Sequence, residues 1–184
     1  EALVAGVTNL CWDGDPFYST THPARGDAAQ WSNIHTGTGD STAQVADDFA
    51  EALALMQGLL AENGEPYHQA QISKIAIMAG PRMRKPMMEA FGAREISATT
   101  NVQIDGLDLK VMINPRITTL DWHLCNVGGP VKPVIFQDRV ALQLRSLEAE
   151  SEDGQEQDQY KYSVRWRGVA GYANPQDAVF VNNT

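Results

Sequence analysis

Apolar residues recur every three or four positions at Val45, Phe49, Leu53, Met56 and Leu60, the stripe of a helix packed on one side. Asp40 or Ser41 stands where such a helix needs a cap, and Asn63-Gly64 offers a left-handed stop, so the spacing predicts a helix over 41–62. Ile72 to Met78 is β-branched and mostly apolar, the composition of a central strand. Gly80-Pro81 then turns the chain into a short helix, Pro81 to Phe91, ended by Gly92, and together these pieces make an α/β unit. Asp105-Gly106 lies between two alternating runs of Asn101 to Ile113, which predicts a hairpin with Leu107, Leu109, Val111 and Ile113 on one face. Leu120 to Cys125, Val134 to Gln137 and Ala178 to Val181 read as further strands, whereas Val140 to Leu147 suits strand or helix equally. Tyr160 to Arg167 alternates cleanly: Tyr160, Tyr162, Val164 and Trp166 on one face, Lys161, Ser163, Arg165 and Arg167 on the other. That predicts a half-buried strand with a basic outer face, followed by a bend flanked by Gly168 and Gly171.

Between these elements the pattern changes character. Leu3, Val7 and Leu10 read as the last turns of a helix, and residues 11–40 show no sustained period and read as loop. Glu148 to Gln159 holds six acidic residues and no apolar side chain longer than Ala, the composition of a solvated loop.

Length and charge narrow the function classes. A chain of 184 residues suits one domain or two closely joined lobes. No apolar stretch approaches the roughly 20 residues that span a bilayer, so no membrane helix is expected. Net charge is −9, which argues against a general grip on nucleic acid, since phosphate binding needs clustered Lys and Arg. The chain opens on Glu1 without a signal-peptide pattern, the expectation being a fragment or processed chain. Cys11 and Cys125 make no CxxC spacing; buried free thiols are expected, and one disulfide is compatible with the sequence.

Candidate chemistry concentrates in CWDGDPFYSTTHP, where Asp13, Asp15 and His22 fall within ten positions. Two carboxylates and an imidazole could ligate a metal, and a small metal-dependent hydrolase is the alternative these residues raise. Against it, they sit in a loop with Pro16 and Pro23, and Asp-Gly-Asp is also turn chemistry, so a structural loop is the expectation. Ser19 and Ser32 lack a nucleophile elbow. TGTGDS, Thr36 to Ser41, precedes a helix but lacks the lysine of a phosphate loop. His35, His68 and His123 are scattered without ligand spacing, and Arg82, Arg84, Lys85 and Arg94 read as a solvated basic face. The expectation is therefore no catalytic, cofactor-binding or metal residue, and no enzyme. The basic positions Lys161, Arg165 and Arg167 with the acidic run at 148–158 suit charge-complementary contacts between copies.

Three blocks carry a resemblance. CWDGDPFYSTTHP resembles the Cys-aromatic-Asp-Gly, Phe-Phe, His-Pro block of the Mu-like bacteriophage major head subunit. VGGPVKPVIFQDR, Val127 to Arg139, is similar to that family's Leu-Lys-Pro-Phe-Ile-Phe-Gln-x-Arg stretch, and YKYSVRWRGVAGYA to its final strand and Ala-Gly-Tyr/Phe-Gly turn. The resemblance implies a mixed α+β major capsid protein of the Hong Kong 97-type fold, with axial and peripheral lobes. It self-assembles as hexamers and pentamers into an icosahedral shell around double-stranded DNA. It further implies a virion location with assembly in the host bacterial cytoplasm, scaffold, portal and decoration proteins as further partners, and only weak, non-specific proximity to DNA. On this reading residues 1–40 are the end of the spine helix and a peripheral polar loop region. Residues 41–125 are the axial lobe, and 126–184 the peripheral strands with the acidic loop 148–159. Arm, hairpin loop and most of the spine helix would lie upstream of Glu1, and without them the isolated 184-residue chain is expected to be monomeric or weakly associated.

Overall fold

A computed structural model describes residues 2–23, 29–69, 72–92, 95–96, 99–100, 106–147 and 161–183. Two compact units are present: Glu1–Val134 with Tyr172–Thr184, and Ile135–Gly171.

The larger unit is organised by helix α1, Thr42–Gln57, whose N-cap Ser41 closes a capping box with Gln44. The helix ends at Gly58, earlier than Asn63-Gly64 suggested. Gly64, at φ 78°, instead turns a separate loop in which Leu60 and Pro66 pair. Strand β1, Ile34–Thr36, precedes α1 inside the stretch expected to be loop. Strand β2, Lys74–Ala79, leads through Gly80 and a 3₁₀ turn at Pro81–Met83 into α2, Arg84–Gly92. Two-residue strands β3, Glu95–Ile96, and β4, Thr99–Thr100, pair with each other. Then come β5, Asp108–Ile113, and β6, Trp122–Asn126. Strands β7, Val134–Leu147, and β8, Lys161–Tyr172, follow, and β9, Ala178–Asn182, is last in order.

Five strands form one mixed sheet in the order β1-β9-β6-β2-β5, with β1/β9 and β2/β5 parallel and the β9/β6 and β6/β2 pairs antiparallel. β5 thus lies parallel to β2 on the sheet edge, the geometry that a crossover through α2 permits. Residues 101–105, the other arm of the expected Asp105-Gly106 hairpin, lie outside the described residues. The expected apolar face is present, since Leu107, Leu109 and Val111 pack against the core. The sheet draws β1 from residues 1–40, β2 and β5 from 41–125, and β9 from 126–184.

Strand alternation divides the packing into two clusters. Ile75, Ile77, Trp122, Leu124, Val179 and Val181 point to α1 and α2, meeting Val45, Phe49, Met56, Met87 and Phe91. On the opposite face Cys125 and Ala178 meet Phe17 and Tyr18. The segment expected to be the tail of a helix is a single 3₁₀ turn, Val4–Val7, with Val7 and Leu10 exposed. Its apolar spacing is too short to sustain an α-helix, and Gly6 in its middle approaches the Tyr18 ring closely.

Candidate functional site

Polar groups buried in the larger unit come first, because the sequence drew attention to them. Asp13 and His22 meet: Nδ1 of His22 is 2.8 Å from Oδ2 of Asp13, and both side chains are buried. Nε2 of His22 faces Oδ1 of Asn33 at 3.3 Å, and the ring stacks on Trp31 with centroids 4.1 Å apart. Asn33, itself fully buried, donates from Nδ2 to the carbonyls of Phe17 and Pro175 and accepts from the Ser19 amide. Asp15 lends only its backbone here, its amide donating to Asp13 Oδ1 in a turn and its carbonyl accepting from Cys11. The residues of the block therefore pin a loop whose Phe17, Tyr18 and His22 are core. Among the described residues no group of three or more His, Cys, Asp or Glu is placed to hold a metal ion.

Other polar anchors went unread in the sequence. Asp48, buried within the apolar stripe of α1, accepts from the Thr38 amide and hydroxyl at 2.9–3.1 Å. An aspartate in step with Val45, Phe49 and Ala52 was the available signal. This carboxylate occupies the amide that a phosphate cradle at TGTGDS would need. Asp177, also buried, accepts from Asn126 at 2.7 Å and from Asn174, with Tyr67 and His68 beside it.

His123 lies between Tyr18 and Phe180, and its Nδ1 is hydrogen-bonded to the Tyr18 hydroxyl at 3.2 Å. Loss of hydration pushes its pKa down to about 4 and pushes that of Tyr18 up. Both cysteines are free thiols, Cys125 buried and Cys11 partly so. Burial pushes Cys125 up to about 12 and raises Cys11, the environment of an inert structural thiol.

The smaller unit, Ile135–Gly171, is a different kind of object. β7 is one strand of 14 residues, which settles Val140 to Leu147 as strand, and it pairs with β8. β8 runs straight through Gly168, where a bend was expected. The missing side chain there makes room for aromatic packing: a Cβ would stand 2.6 Å from the Trp166 ring and 2.9 Å from that of Phe136. These two rings stack at 5.8 Å with nearly parallel planes, and so mark one face of the ribbon. Alternation adds Leu142, Leu144, Tyr162 and Val164 to that face. The face is not half-buried as the pattern implied. Phe136, Leu142, Leu144, Tyr162 and Val164 are each 61–71% exposed and Trp166 49%, and among the described residues β7 and β8 pair only with each other. Alternation puts Arg139, Arg145, Arg165 and Arg167 on the other face, all exposed and without an ion pair among the described residues.

A family model described as Mu-like prophage major head subunit gpT matches residues 105–184. That segment holds the second and third sequence blocks and the whole ribbon; the first block lies outside it. Comparison with curated proteins gives no match. Among solved structures, the virus-like particle from Pyrococcus furiosus aligns with a TM-score of 0.50 at 13% identity, over 82% of this chain and 56% of that one. The capsid of the cyanophage P-SCSP1u aligns with a TM-score of 0.46 at 12% identity, over 88% and 57%. The chain spans little more than half the length of either. Over residues 105–184 the chain carries the sequence pattern of the Mu-like prophage major head subunit, on an α+β fold shared with a virus-like particle.

Proposed function

We propose that this chain is the shell-forming part of a major capsid protein of a Mu-like tailed bacteriophage or prophage. Its role is structural: it self-assembles into an icosahedral shell of the Hong Kong 97 type around double-stranded DNA, and it resides in the virion. On this reading residues 41–125 supply the helices and inner strands of the axial lobe, and the ribbon belongs to the peripheral lobe.

One observation carries the proposal. The segment that matches the head-subunit family contains a two-stranded ribbon with six large apolar side chains standing in water. A lone two-stranded hairpin is marginal in water, and its apolar face needs a covering layer. The exposed area is on the order of 800 Å², the share one partner gives to a standard protein interface. Monomers rarely leave a patch of that size uncovered, whereas subunits of an assembly do so until they meet. The acidic balance suits a container wall, because a shell that gripped DNA tightly would hinder packaging and release.

Cryo-electron microscopy of particles containing this polypeptide, with mass spectrometry of the same particles, tests the reading. Icosahedral shells built of the chain are expected. Small discrete particles with a metal bound between Asp13 and His22 would overturn it.

A further inference from the structure

The charge of this chain is divided unevenly. Of its 14 basic and 23 acidic residues, five basic and one acidic lie on β7 and β8, leaving nine basic against 22 acidic elsewhere. The ribbon strands are a cationic element in an otherwise strongly anionic protein. Arg139 and Arg145 on β7, with Arg165 and Arg167 on β8, share the face opposite the apolar one, each exposed and none paired among the described residues. Arg165 and Arg167 are nearest neighbours on their face, about 6.6 Å apart along the strand. Guanidinium groups on a strand are planar forks that take carboxylates two bonds at a time, and Arg is enriched in protein interfaces where Lys is depleted.

From this we infer that the arginine face of the ribbon docks on the carboxylates of a second copy of this chain, and that this contact sets the ionic-strength dependence of assembly. The inference rests on the self-assembly reading and adds to it the surface and the chemistry of one contact. One observation selects a second copy over a polyphosphate as the occupant. Outside residues 135–171 a neighbouring copy offers 16 acidic residues against nine basic ones. The two faces then have separate tasks: the apolar face supplies buried area, and the arginine face supplies register and partner choice.

The test uses the assembling protein in two isotopic forms, one ¹⁴N and one ¹⁵N, mixed before assembly. Arg139, Arg145, Arg165 and Arg167 are each replaced by Lys, which keeps the charge but presents an amine, and a carbodiimide then joins amines to carboxylates in direct contact. Mixed-isotope crosslinks from these positions to Asp or Glu residues are expected. A second variant with all four arginines changed to Gln is expected to assemble at least tenfold more weakly at 50 mM salt and to lose most of the salt dependence of the parent. Because all four side chains are exposed, its thermal unfolding serves as a check that the fold is intact. Assembly of the Gln variant with unchanged strength and salt dependence would overturn the inference while leaving self-assembly standing. Loss of duplex DNA retention with assembly unchanged would overturn it in favour of nucleic acid as the partner. If particles containing this polypeptide hold no icosahedral shell, the self-assembly reading fails and the inference falls with it.

Discussion

Acid should weaken the larger unit through one residue. His123 is 2% exposed in the middle of the sheet, its ring held between Tyr18 and Phe180 and its Nδ1 hydrogen-bonded to the Tyr18 hydroxyl. Dehydration lowers its pKa from 6.5 to about 4. The folded ring stays neutral between those values while the unfolded chain takes up a proton, so the unfolded state binds more protons and stability falls as pH falls. The contribution is fully present above about pH 6.5. Linkage puts the loss at about 2 kcal/mol by pH 5 and roughly 3 kcal/mol by pH 4. His123→Phe removes the titration and keeps an aromatic ring in place; the hydrogen-bond partner lost to Tyr18 lowers stability by the same amount at every pH. Urea unfolding followed by tryptophan fluorescence, run from pH 7.5 to 4.5 on both proteins, isolates the effect as a difference of slopes. The parent should lose about 2 kcal/mol more than the variant between pH 7.5 and 5. Parallel pH profiles would show that protonation of this ring is not linked to folding, and the argument from burial would be wrong.

Other outcomes follow from the same structure. Asn33→Leu should lower stability by about 3–5 kcal/mol in denaturant titration, because it leaves the carbonyls of Phe17 and Pro175 and the Ser19 amide buried without partners. Gly80→Ala should lower it by about 1–3 kcal/mol, since the added Cβ would stand 2.4 Å from the Ile117 carbonyl oxygen, which is backbone and cannot swing aside. In Ellman's assay at pH 7.5, Cys125 should stay unreactive until the protein unfolds and Cys11 should react slowly, both thiols being raised by burial. Trp166→Ala should leave the unfolding of the larger unit unchanged yet weaken assembly by more than 2 kcal/mol, about thirtyfold, measured by sedimentation velocity.

The elements that the sequence made legible are those with one strong local signal. α1 carries a capping residue and four positions of the apolar stripe, and β2, α2 and β9 are short and bounded by Gly, Pro or Asn. β1 was missed because Ile34–Thr36 has one apolar residue, and its existence depends on pairing with β9, some 145 residues further on. The end of α1 was misplaced because Asn63-Gly64 is the stronger turn signal, yet it serves the next loop. Around the candidate site the alternation of β8 was plain, but alternation reveals two chemically different faces and not whether either is covered. Burial of the Tyr162, Val164 and Trp166 face depends on a layer that a strand's own residues do not encode. Asn33, Asp48 and Asp177 escaped notice for a related reason: a buried polar residue differs from a surface one only by its distant partners.

The position of β9 has a bearing on how the subunit is made. This strand slots between β1 and β6, parallel to one and antiparallel to the other, so the sheet cannot close until the last strand in chain order is available. During synthesis, which delivers roughly 5–20 residues per second, β1 has no partner and β6 keeps a bare edge while the sticky β7–β8 hairpin is already emerging from the ribosome. A chain interrupted shortly before 178–182 would present an open sheet edge and an apolar ribbon at once, the combination most prone to aggregate. Completion of the sheet therefore waits on residues 178–182, whose arrival covers the facing edges of β1 and β6 in one step.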